Sequence, residues 1–234
     1  MLRVAVTRAA PENARTAERV RERGAEPILA PLLTIVPCGY DTSTEGAQAL
    51  LFTSSNGVRA FPNARGARDK IVLAVGDATA EAARAAGFGD VRSADGDVAS
   101  LAALAKAALD PSKGKLVHIA GDHVAGDLSG QLQAAGFRVE RRLAYASVAA
   151  GEVPEPLLGP LDIVLFHSPR AADVFVTLGA PNAHTLTAAC MSEAVAGAAR
   201  AAPWKRLIVS PAPREEALLD AALGAGHSPA GASA

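Results

Sequence analysis

Apolar residues in this chain come in short continuous blocks that stop abruptly at hydroxyl, amide or glycine residues, after which apolar positions resume at helical spacing. Leu50-Leu51-Phe52 gives way to Thr53-Ser54-Ser55-Asn56, and Gly57, Val58 and Phe61 follow. This predicts a strand over 49–53, a polar elbow and a helix from about 57. The same grammar returns at Ile163-Val164-Leu165-Phe166, which runs into His167-Ser168-Pro169 and a second helical stretch, with Phe166 lying 114 positions after Phe52. Two such elbows suggest two halves built alike.

The remaining blocks fit that scheme. Residues 2–6 predict a strand left through Thr7-Arg8, and Ala14, Ala17 and Val20 a helix stopped by Gly24 at the C′ position. Strands over 27–30 and 32–36 follow. Ile71 to Val75 leads into Gly76-Asp77-Ala78-Thr79 and an Ala-rich helix closed by Gly87, and a strand near Val91 precedes Ser100, read as the N-cap of the next helix. A strand over 115–120, helical Leu128, Leu132 and Ala135, Gly136, and an extended run from Val139 to Val148 then copy the opening unit, since Val20 to Leu132 and Gly24 to Gly136 are both 112 apart. Strands over 162–166, 185–190 and 207–209 alternate with helices after Ser168, from Ser192 and over 214–223. Gly76 and Ser192 are 116 apart, so the repeat stays in step. A repeat of this length points to a duplicated domain rather than a solenoid, and the alternation to parallel sheets covered on both faces. Residues 224–234 read as a mobile tail.

At 234 residues, half of them apolar, the chain can hold two globular domains. A formal net charge of −1 with interspersed signs argues against nucleic acid as a partner. No apolar run approaches the roughly 18 residues needed to cross a membrane, and the first residues lack the h-region of a signal peptide, so a cytoplasmic protein is expected. Cys38 and Cys190 form neither a CxxC pair nor a disulfide framework. His118 and His123 lack helical spacing and a carboxylate cluster, so no metal site is expected. The chain has no GxSxG or GxGxxG, and Gly114-Lys115 lacks the Walker spacing, so no cofactor is expected either.

Candidate chemistry lies where strands end. In open parallel sheets, ligands bind beyond the carboxyl ends of strands, where helix N-termini present free N–H groups and partial positive charge. Thr7, Arg8, Thr53, Ser54, Asn56, Gly76, Thr79, Gly121-Asp122, His167-Ser168 and Ser192 all fall at such ends. They suit a ligand carrying several anionic groups, held by N–H and hydroxyl donors. Taken singly, Ser54, Ser55, Asn56 and Ser168 read as helix caps ahead of ligand contacts, and Gly76 could equally supply a tight turn. Tyr145, one of two tyrosines, could donate a hydrogen bond or pack at a strand edge.

Together these segments resemble the uroporphyrinogen-III synthase family over nearly the whole chain. The carriers are Val4 to Arg8, Phe52 to Val58, Val75 to Ala80, the Tyr145 segment, Phe166-His167-Ser168 and Met191 to Val195. The resemblance implies a cofactor-free lyase that cyclises hydroxymethylbilane to uroporphyrinogen III, losing water and inverting ring D through an azafulvene cation and a spiro intermediate. It implies two similar flavodoxin-like α/β domains joined by a two-stranded ladder with a cleft between them. Residues 1–32 and 150–234 would form one domain and 39–142 the other, with 33–38 and 143–149 as ladder. It implies Tyr145 as the residue helping the hydroxyl leave, with Thr53, Ser54, Thr79, Ser168 and Ser192 lining the cleft. Hydroxymethylbilane would be the small-molecule partner, with transient contact to the upstream bilane-forming enzyme, and the protein would be a monomer. Ala120 stands where many relatives carry Arg, and Cys190-Met191-Ser192 replaces a Gly-containing turn. The alternative is a non-catalytic two-domain binder of a small polyanion.

Overall fold

Short Val-, Ile- and Leu-rich segments form the central strands, which are buried on both faces, and Ala-rich amphipathic segments cover them as helices. In chain order these are β1 (Arg3–Val6), α1 (Glu12–Glu22), β2 (Glu26–Leu29), β3 (Leu33–Pro37), β4 (Ala47–Phe52), α2 (Ser55–Arg59), β5 (Ile71–Ala74), α3 (Asp77–Ala86), β6 (Asp90–Ser93) and α4 (Val98–Ala108). They continue as β7 (Lys115–Gly121), α5 (Leu128–Gln133), β8 (Val139–Ala149), β9 (Ile163–Phe166), α6 (Pro169–Thr177), β10 (Thr187–Cys190), α7 (Glu193–Ala199), β11 (Arg206–Val209) and α8 (Glu215–Leu223). The computed structural model describes residues 1–62, 65–123 and 126–224. The expected tail, apart from Gly224, lies outside the described residues.

The chain divides into two compact units, Met1–Thr34 with Val148–Ala234, and Ile35–Ser147. The first holds a five-stranded sheet in the order β11-β10-β9-β1-β2, parallel throughout. The other sheet runs β3-β8-β7-β4-β5-β6, with β4 to β8 forming parallel pairs. The internal repeat equates β9, β10 and β11 with β4, β5 and β6, and β1 and β2 with β7 and β8. Written in those equivalents, the two sheets have the same strand order, with β3 added at one edge. The hydrogen bonds Cys38 N to Ala144 O and Ala150 N to Leu32 O, both 2.9 Å, flank β3.

Each sheet has a core on both faces. In the first unit Phe166 packs edge-on against Phe175 and Trp204 on one face, while Val4, Val6, Leu165, Leu218 and Leu219 fill the other. In the second, Phe52 meets Phe61 and Phe88 on one face, and Leu51, Leu73, Leu101 and Leu116 lie on the other. The two anchor phenylalanines of the repeat thus occupy matching core positions.

Two local expectations are corrected. Asp97, not Ser100, caps α4: its side chain accepts from Ser100 N at 2.9 Å, because the carboxylate three residues upstream takes the orphan N–H. The strand expected from residue 185 begins at Thr187, since Ala183–Thr185 winds into a short 3-10 turn.

Candidate functional site

In the second unit, strand register gathers several candidate residues into one rim. Phe52 pairs with both Ala74 and Ile119, so two residues further along Ser54, Gly76 and Gly121 end three neighbouring strands. Gly121 in turn pairs with Tyr145. Ser54 is extended (φ −161°) and caps α2 by accepting from Asn56 N at 3.1 Å. The Asn56 amide oxygen is turned back onto Arg59 of its own helix. Gly76 caps α3 with no side chain to reach that helix's free N–H groups, and Thr79 in its first turn is buried.

Thr53 begins the elbow, and its hydroxyl lies 3.2 Å from Nε2 of His118. His118 sits on β7 almost fully enclosed; burial, helped by the nearby Arg141 charge, pushes its imidazole down to about 4. It is therefore a neutral partner that orients Thr53. Tyr145 packs its ring into the core of this unit at 8% exposure, and its hydroxyl has no hydrogen-bond partner among the described residues.

The rim of the first unit has the same layout and different chemistry. Phe166 pairs with Cys190, which puts Ser168 and Ser192 side by side just beyond their strands. Ser168 caps α6 by accepting from Ala171 N at 3.3 Å, with Pro169 at the first helical position. Ser192 caps α7 without a side-chain hydrogen bond. Thr7 is fully buried, and its hydroxyl donates to Leu165 O at 2.6 Å, locking β1 to β9.

Arg8 is likewise committed, to a residue that sequence reasoning missed. Its guanidinium lies 3.0 Å from Oε1 of Glu215, the first residue of α8. Thr16 donates to the same oxygen, Arg19 pairs with Oε2, and Nε2 of His167 approaches Oε1 to 3.3 Å. Burial raises the Glu215 carboxyl, but His167, Thr16 and Arg8 outweigh it and bring the group down to about 2. Burial likewise lowers His167. Nothing local marks Glu215, because Thr16 and Arg8 lie 199 and 207 positions away.

The rims thus offer helix N-termini and neutral hydroxyls in the second unit and an ion-paired cluster with two serine caps in the first. Among the described residues no group of three His, Cys, Asp or Glu side chains could hold a metal ion, and no helix is long and apolar enough to cross a membrane.

Comparison with known proteins adds the family dimension. The family model described as uroporphyrinogen-III synthase HemD matches residues 14–220. The chain is similar in fold to a crystal structure of uroporphyrinogen-III synthetase from Helicobacter pylori 26695, with a TM-score of 0.68 and 16% identity over 95% of this chain and 98% of that one. It is similar also to a mutant uroporphyrinogen III synthase from the extremely thermophilic bacterium Thermus thermophilus, with a TM-score of 0.55 and 19% identity over 94% and 96% of the two chains. No curated protein matches the chain by sequence.

Proposed function

Because this chain belongs to the uroporphyrinogen-III synthase family, we infer that it is a lyase that cyclises hydroxymethylbilane to uroporphyrinogen III in haem biosynthesis. Water is lost and ring D is inverted. The hydroxyl of the substrate's hydroxymethyl group departs as water once its oxygen is protonated, leaving the methylene carbon as the electrophilic end of an azafulvene cation. The substituted carbon of ring D attacks that cation to give a spiro intermediate, which fragments and recloses with the ring inverted.

In this reading Tyr145 donates the proton to the departing hydroxyl. The substrate's acetate and propionate carboxylates are held by free N–H groups at the starts of α2, α3, α6 and α7, with Thr53, Ser54, Asn56, Gly76, Thr79, Ser168 and Ser192 shaping those contacts. Most of the acceleration comes from holding a flexible chain in a reactive fold. Arg8 enters only as a holder of Glu215. The reading keeps residues 1–32 with 150–234 and residues 39–142 as two domains, with the strands between them as linker. The free bilane closes spontaneously to the type I isomer, so rapid transfer from the upstream enzyme in the cytoplasm belongs to the same reading.

The observation that carries the role of Tyr145 is a hydroxyl with no internal partner among the described residues, on the row that includes Ser54 and Gly76. The test is Tyr145→Phe assayed with enzymatically generated hydroxymethylbilane, separating type III from type I product. Type III formation is expected to slow about tenfold or more while the fold persists. An unchanged rate removes Tyr145 from the mechanism; type I product alone from the folded wild-type protein overturns the function.

A further inference from the structure

The second unit contains a device around Tyr145 that its packing alone does not require. Between Ala120 and Gly121 on β7, the partner on β8 jumps from Leu143 to Tyr145, so Ala144 is an extra residue in the ladder. Such a bulge breaks the alternation of faces and re-aims the next side chain. Leu143 is 44% exposed, whereas Ala144 and Tyr145 are buried in succession. The hydroxyl end of the turned ring lies against Gly121: a Cβ there would sit 2.6 Å from two ring carbons and 2.9 Å from the hydroxyl oxygen.

The next residue, Asp122, straddles this ring through the backbone. Its N–H donates to Tyr145 O at 3.1 Å, and its Oδ1 accepts from Ser147 N at 3.0 Å. On the opposite edge Cys38 N donates to Ala144 O. The peptide leading into Asp122 is fixed by Arg141, whose Nη2 donates to Gly121 O at 2.6 Å. His123 also reaches the same carboxylate oxygen through its backbone N–H and ring Nδ1. The bulged residues are therefore held from both edges, and on the Ser147 side the Asp122 carboxylate supplies the side-chain part of that hold.

We propose that Asp122 is a positioning residue for Tyr145, fixing through Ser147 and the bulge where the tyrosine hydroxyl points. The proposal rests on the assignment of Tyr145 given above. Asp122 touches no reacting atom; it narrows the range of ring positions, so its loss lowers turnover rather than affinity.

The test uses Asp122→Ala and Asp122→Asn, each alone and combined with Tyr145→Phe, in the full chain. Asp122→Ala is expected to lower kcat by about fivefold with little change in KM, because the Ser147 N–H loses its acceptor. Asp122→Asn, whose amide oxygen still accepts, restores most of it. In the Tyr145→Phe background Asp122→Ala should cost nothing further. Equal losses in both backgrounds, or an Asn variant as slow as the Ala variant, overturn the proposal. A second readout does not depend on catalysis. With 13C-labelled tyrosine, the ring signal absent from Tyr145→Phe should shift in Asp122→Ala and stay in place in Asp122→Asn. A signal that does not move overturns the positioning role; a signal that moves while Tyr145→Phe keeps full activity leaves positioning standing and removes the tyrosine from the chemistry.

Discussion

The rims of the two sheets share a strand order and differ in what holds them. Beyond β4, β5 and β7 the polar groups are hydroxyls, glycines and a neutral imidazole, while beyond β1 and β9 a buried carboxylate gathers two arginines, a threonine and a histidine. A duplicated scaffold has thus kept its strand order and divided its rim chemistry. Both rims carry helix N-termini at their strand ends, and in the first unit the Glu215 cluster also ties α8 to α1. The two can be followed separately, because the single tryptophan, Trp204, lies in the first unit stacked on Phe175, and both tyrosines, Tyr40 and Tyr145, lie in the second.

The most damaging way to test that division is Glu215→Ala. Its removal leaves Arg8 without its carboxylate partner beside a buried histidine and Arg19 with Glu216 alone, and breaking such partly buried charged hydrogen bonds from one side costs about 1.5–3 kcal/mol. Urea unfolding followed by Trp204 fluorescence should show that loss, with the tyrosine signals of the second unit shifted far less. A loss below about 1 kcal/mol would mean the cluster behaves as a solvated surface network, and the contrast between rims would collapse.

The second test concerns acid. His118 titrates at about 4 in the folded chain against 6.5 as its ordinary value, so between those values the unfolded chain binds more protons. Stability from this group is fully present above pH 6.5 and is lost as pH falls toward 4, by up to roughly 3 kcal/mol. His118→Gln keeps a donor for Thr53 and removes the titration, so the decline of the second unit over that window should flatten. An unaltered acid limb in near-UV tyrosine signals would show that His118 is solvated and does not orient Thr53. Glu215 acts in a lower window in the first unit: its lowered carboxyl gives stability present above about 4.5 and lost as pH falls through about 2.

What could be read from the sequence was whatever is local or repeated. Phe52 and Phe166 mark equivalent strands because core strands need continuous apolar runs, and Ser54 and Ser168 cap their helices because a hydroxyl next to a free N–H needs no distant partner. Asp97 and Ser100 compete for one cap, and only the structure shows that the carboxylate takes it. Glu215 and Asp122 gain their meaning from partners far away in the chain: Arg8 for the first, Ser147 and the bulge before Tyr145 for the second. Periodicity has no term for such contacts, and an acid in a helix's first turn or a glycine-aspartate elbow looks ordinary until the sheet brings its partners in.

The finest difference between the copies is a single methyl group. Gly57 on α2 and Ala171 on α6 hold equivalent positions, 114 apart, and both are buried. A Cβ on Gly57 would come within 2.8 Å of Ile119 O and 3.3 Å of a Phe52 ring carbon, whereas Ala171 sits in its core without displacing the helix. The short α2 therefore seats too close to β7 to admit a methyl group at this position. Gly57→Ala should force α2 outward and cost about 1–3 kcal/mol of second-unit stability. Ala171→Gly, which only loosens a helix, should cost about 1 kcal/mol in the first. If Gly57→Ala instead proved neutral under tyrosine-detected unfolding, the close seating would be absent, and the two elbows would differ only in their side chains.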